Sequence, residues 1–219
     1  MTDAAPPGDA SANEPTDSQL LERWQAGDKS AGSMLFERYY DAIERFFINK
    51  VSVGAGDLVQ DTFRVFLEKC GELRDPSKLR SYLFSIAYRK LLEFIRSKQR
   101  HRGAIDFAQQ SIQDLAPGPR SIITKQQEQR LLLAALRTIP ANDQVILELY
   151  YWESLKVAEI AEVLGKPVPT TKGRLQRARA RLENALRKLA NSDDVLQSTI
   201  SDLEKWARDW RQELGRDDS

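Results

Sequence analysis

Apolar residues return at every third or fourth position along most of this 219-residue chain, and nowhere alternate long enough to make a strand. That period belongs to the helix and predicts an all-α fold. Leu20, Leu21 and Trp24 open a short helix that Gly27 ends. Met34, Leu35, Tyr39, Ala42, Ile43, Phe46 and Phe47 form one apolar stripe. The segment from Val51 to Gly56 interrupts it, and Asp57 is the expected N-cap of the helix carrying Leu58, Val59, Phe63, Phe66 and Leu67. A turn from Gly71 to Ser77 precedes a long helix marked by Leu79, Leu83, Ile86, Ala87, Leu91, Phe94 and Ile95. Periodicity then fades between Gly103 and Pro117-Gly118-Pro119, which reads as a linker. It resumes near Gln126, breaks at Pro140, and continues through Val145, Ile146, Leu149 and Tyr150, then Leu155 to Leu164 and Val168 to Leu189. The expectation is two helical domains joined by a flexible linker.

A net charge of +1 conceals strong segregation. Residues 75–102 carry net +6 and residues 165–190 net +7, while residues 1–17 and 191–219 each carry −4. Two cationic helical blocks between acidic ends fit a polyanionic partner better than a small substrate. Cys70 and His101 each stand alone, so an internal disulfide and a His/Cys metal centre are excluded. No phosphate loop, nucleophile elbow or metal cluster suggests an enzyme, and no cofactor is implied. No apolar run reaches the length of a membrane span, and no secretory leader pattern opens the chain; a cytoplasmic protein is expected.

The segment Val157 to Gly165 reads as a short helix closed by a glycine, and Pro167 and Pro169 mark the start of a basic helix. A short helix, a tight turn and a cationic helix make up a helix-turn-helix, whose second helix enters the major groove of DNA. Its N-terminal side chains are Thr170, Thr171, Lys172, Arg174 and Arg177. Arg174 has the fork geometry to read guanine, whereas Lys172 is suited to phosphate. The competing reading of the same residues is a solvated basic face on a bundle helix.

The run from Leu136 to Leu186, with Ile139-Pro140, Tyr150-Tyr151, Glu159-Ile160-Ala161, Leu164-Gly165 and Thr170-x-Lys172-x-Arg174, resembles the C-terminal DNA-binding domain of bacterial sigma factors of the extracytoplasmic-function (ECF) type. The resemblance extends to residues 18–102. It implies sigma domain two at 18–102 and sigma domain four at 128–190; composition and spacing add a disordered acidic tail at 1–17, a linker at 103–127 and an amphipathic helical extension at 191–219. It implies that Asp57, Gln60, Asp61 and Arg64 dock on core RNA polymerase. It also implies that Arg80, Tyr82, Arg89, Lys90 and Arg96 meet the minus-ten promoter element, with the turn from Leu73 to Lys78 as a wall for a flipped base. Domain four would read the minus-thirty-five element. Promoter DNA and core RNA polymerase are the implied partners, and the linker leaves room for an anti-sigma factor. Phe84 and Phe94 are expected in the core.

Three departures stand out. The family's acid-rich approach to Leu58-Val59 is Gly54-Ala55-Gly56-Asp57 here, Arg89 and Glu93 replace Asn and Asp, and Tyr82 replaces the commoner Trp. The missing acids point to a modifying kinase acting at Ser52 or Thr62, since a phosphate adds about −1.5 to −2 charge. The extension carries Leu196, Ile200, Leu203, Trp206, Trp210 and Leu214 at helical spacing, suited to packing on the preceding domain or to covering a basic surface. The alternative for the whole chain is a helix-turn-helix regulator that acts without being a polymerase subunit.

Overall fold

The computed structural model describes residues 14–51, 53–73, 75–99 and 127–190. The expected linker and C-terminal extension, and most of the N-terminal tail, lie outside the described residues. Among the described residues there are eight α-helices and no strand, and no helix is long and apolar enough to cross a membrane.

The first four helices are α1 (Asp17–Gln25), α2 (Lys29–Ile48), α3 (Ala55–Lys69) and α4 (Leu79–Gln99). Thr16 and Gln19 form a capping box on α1. Asp17, expected in the acidic tail, instead opens this helix, and its carboxylate accepts from Arg38 at 2.7 Å and from the Tyr39 hydroxyl. The tail is therefore shorter than expected: residues 16 and 17 belong to the folded body. Asp28 caps α2 by accepting from the backbone N–H groups of Ser30 and Ala31.

The N-cap of α3 is Gly54, not Asp57. Gly54 has φ 89°, a left-handed backbone that side-chain-bearing residues rarely adopt, and its carbonyl accepts the Leu58 N–H at 3.2 Å. This begins the helix three residues earlier, so Asp57 lies in its first turn, where a carboxylate favours the positive end of the helix dipole. Two short 3₁₀ turns, Cys70–Glu72 and Pro76–Lys78, lead into α4.

The second set is α5 (Gln127–Thr138), α6 (Ala141–Tyr151), α7 (Val157–Leu164) and α8 (Val168–Leu189). Pro140 separates α5 from α6 as expected. Gly165 ends α7 with φ 60° and ψ 42°, the left-handed closure that the turn requires. The α7 helix begins at Val157, where the helix-turn-helix reading placed it, and Glu159 reaches back to accept the Lys156 N–H at 2.6 Å and fixes the start there.

One apolar core runs through both sets, from Leu20 to Leu186. α4 lies at its centre. Leu83, Phe84, Ile86, Ala87 and Tyr88 are all buried, so the helix is covered on more than one face. It packs on α3 on one side and on α7 on another. Phe84 meets Phe46 edge-on at 5.9 Å, which bears out its core assignment; Phe94 is half-buried against the same core. The two helical domains are packed together.

Candidate nucleic-acid interface

The stripe Thr171, Leu175, Ala178, Leu182 and Leu186 buries one face of α8 against α5 and α6. Thr171 is fully buried and its hydroxyl donates to the Pro167 carbonyl at 3.1 Å. It is therefore a helix-start residue and not a base contact, a correction the four-and-three spacing of the stripe already contained. Thr170, Lys172 and Arg177 are exposed and Arg174 is half-buried. Thr170, Arg174 and Arg177 share one face, and Lys172 falls on the opposite side of the helix, on the far flank of the buried stripe. Arg177 curls back to the Gly173 carbonyl at 3.2 Å. Arg179 instead stacks on Tyr150, 4.7 Å from the ring centre, and serves the fold.

On α4 the expected contacts separate. Tyr82, Arg89 and Arg96 fall on one stripe by spacing. Tyr82 is half-buried with its ring 6.3 Å from Phe66, Arg89 and Arg96 are exposed, and half-buried Lys90 pairs with Glu93 at 3.4 Å. Arg80 points elsewhere: its Nη2 lies 3.2 Å from Glu153 of the second half. Lys78, on the turn expected to wall a flipped base, pairs with Glu162 of α7 at 2.6 Å, which raises its pKa above the usual lysine value. Tyr88 is buried, donates to Asn142 Oδ1 at 3.0 Å, and is pushed above the usual tyrosine range by burial.

The α3 face is exposed along Asp57, Gln60, Arg64 and Glu68, with Asp61 half-buried. Arg64 bonds Asp61 at 2.8 Å and lies 3.9 Å from Glu68, so the face presents a mixed-charge network rather than bare carboxylates. Thr62 is fully buried on the opposite face and donates to the Leu58 carbonyl at 2.7 Å. No kinase can reach that hydroxyl without unfolding the helix, so modification of Thr62 is set aside; Ser52 lies outside the described residues.

Charged residues that periodicity did not single out line the contact between the halves. Glu148 pairs with Lys50, and both are buried. Burial pushes the Lys50 ammonium below its usual value, against the pull of Glu148. Glu153 also holds Arg45 at 3.5 Å. No local signal could have found these pairs, because the partners lie far apart in the chain.

Comparison with known proteins agrees with this architecture. Residues 35–101 match the family model for sigma-70 region 2, and residues 129–182 the model for sigma-70 region 4. Together the two matches cover more than half of the chain. The ECF RNA polymerase sigma-E factor of Haemophilus influenzae is 26% identical over 187 residues, covering 81% of this chain and 99% of that one. Its Escherichia coli K12 counterpart is 23% identical over 183 residues, covering 80% and 96%. Two solved structures share the fold with a TM-score of 0.57 and 23% identity each. CnrH in complex with the cytosolic domain of CnrY covers 80% of this chain and 99% of that one. The sigma factor RpoE in complex with the anti-sigma factor NepR from Bartonella quintana covers 71% and 96%. With both sigma regions present in order, and relatives matched over nearly their full length, the chain belongs to the sigma-70 family as an ECF-type sigma factor.

Proposed function

We propose that this protein binds core RNA polymerase and directs it to promoters, as a specificity subunit with no active site of its own. Residues 18–102 act as domain two and residues 128–190 as domain four. The observation that carries the reading is the pairing, on one chain, of two cationic helices with a separate exposed acid-and-amide face. α8 presents Thr170, Lys172, Arg174 and Arg177 to the minus-thirty-five element. α4 presents Tyr82, Arg89, Lys90 and Arg96 to the minus-ten element, with Arg80 joining them once Glu153 withdraws. Asp57, Gln60, Asp61 and Arg64 of α3 meet the polymerase. A regulator acting without polymerase has no use for that third face. The complexes of CnrH with CnrY and of RpoE with NepR support an anti-sigma partner for this chain too. The protein works in the cytoplasm, where the polymerase is.

Reconstitution with core polymerase on a randomised promoter library tests this. The expected result is stable association and enrichment of two sequence blocks at fixed separation. A chain that binds DNA but never co-migrates with the polymerase would refute it.

A further inference from the structure

Directly opposite the buried stripe of α8 runs a crest that helical spacing takes through Pro169, Gly173 and Ala180. Pro169 and Ala180 are exposed. The longer side chains stand to either side, Lys172 on one flank and Arg174 on the other. Gly173 is the sixth of the helix's 22 residues. A glycine inside a helix makes it less stable than an alanine would, because its backbone loses more freedom on folding. The fold gives no reason to accept that loss. Gly54 and Gly165 have positive φ, but Gly173 is an ordinary helical residue. A Cβ built on it meets nothing within 4 Å among the described residues. Gly32 of α2 shows the contrary case: a Cβ there would lie 2.7 Å from the Trp24 indole nitrogen. Packing within the chain therefore accounts for Gly32 and leaves Gly173 without a cause.

We propose that Gly173 is a specificity-determining residue for the minus-thirty-five element: its backbone lies directly on the edges of the base pairs, where the fit leaves no room for a side chain. This rests on the promoter-directed reading above. An α-helix with its side chains is about 10–12 Å across and the major groove about 12 Å wide, so the depth to which the helix sinks is set by what stands on its crest. With glycine on the crest the main chain itself can approach the bases, the use to which glycine is put wherever a backbone meets a ligand closely. Lys172 and Arg174 then diverge from the contact on opposite flanks, which suits one to phosphates and the other to a base edge. Arg177, one turn further on, donates from Nε to the Gly173 carbonyl at 3.2 Å. That bond folds the guanidinium back along the helix, and it stays clear of the point where a Cβ would stand.

The test uses the full chain, free and reconstituted with core polymerase, on a promoter recovered from the randomised library. Gly173→Ala should raise the melting temperature of the free chain by about 2–4 °C, since alanine is the better helix former and its methyl finds open space. The holoenzyme carrying the same variant should bind the promoter about tenfold more weakly, the scale on which a methyl forced into a closely packed contact acts. Gly173→Leu, also a good helix former, should lose more than the alanine variant. On a promoter whose minus-thirty-five block is scrambled, parent and variants should bind alike, which assigns the loss to α8. A more stable alanine variant that binds the intact promoter as tightly as the parent would overturn the proposal. So would an equal loss on both promoters, or a lower melting temperature, because either result would return the need for glycine to the fold itself. Failure of the promoter-directed reading would show separately and earlier, as a parent chain that never associates with the core enzyme or enriches no minus-thirty-five block.

Discussion

Lys50 shows how much one residue can depend on a distant part of the chain. Its ammonium is fully enclosed, donates to the Phe46 carbonyl at 2.8 Å, and pairs with Glu148, which also accepts from Gln144 at 2.9 Å. Removing one member strands the other charge away from water. Lys50→Met should therefore cost about 3–5 kcal/mol of unfolding free energy, and combining it with Glu148→Leu should recover most of that. Denaturant titration of the two variants measures both steps; a double variant no better than the single one would contradict the pairing. Tyr39 gives a pH-dependent counterpart. Burial and the Asp17 carboxylate raise its pKa above the ordinary tyrosine value of 10. The folded state thus keeps a proton that the unfolded chain releases. Its contribution to stability is complete below pH 10 and is lost as the pH climbs beyond it. Tyr39→Phe should accordingly flatten the fall in unfolding midpoint above pH 10 relative to the parent. Matching slopes for the two proteins would show that Tyr39 ionises alike in both states.

At the scale of the element, most boundaries were legible because a helix announces itself through spacing and punctuation. Pro140, Gly165 and the onset at Val168 are where periodicity placed them. The exceptions have physical causes. The start of α3 is set by the left-handed Gly54, which reads in sequence as a loop residue, so Asp57 looked like the cap. α6 buries Asp143, Gln144 and Glu148 together with its apolar side chains, and no stripe rule expects acids inside. They are tolerated because Arg181 and Lys50 meet the two carboxylates. On α8 the buried stripe separates the structural Thr171 from the outward side chains, and this separation predicts unequal roles for the latter. In the polymerase-bound protein, Arg174→Ala should lose about 1–3 kcal/mol of discrimination at one base pair. Lys172→Ala should weaken all sequences nearly alike and reduce the salt slope by about one. Promoter-variant binding at several salt concentrations separates the two, and identical profiles would dissolve the distinction between reader and anchor.

For the whole molecule, sequence reading arrived at the two helical domains and their order but not at the contact between them. Contacts between residues about a hundred positions apart leave no trace in local periodicity. What it missed is that α4 is apolar around too much of its circumference for a helix with one covered face; the second cover is α7. Closure so built has a definite response to salt. The Debye length falls from about 10 Å at 0.1 M to about 3 Å at 1 M, which screens exposed pairs and barely reaches buried ones. Among the described residues, Lys78–Glu162 is the charged contact between the halves most open to that screening, whereas Lys50–Glu148 and the apolar packing of α4 on α7 are shielded from it. Solution scattering from the parent chain should therefore keep the same radius of gyration between 0.1 and 1 M salt, the two conditions compared above. The Glu148→Gln, Glu153→Gln variant should be larger already at the lower salt, since it loses buried pairs that salt cannot weaken. Expansion of the parent at high salt would mean that the rim pair carries the closure and that the buried acids serve only to fill space.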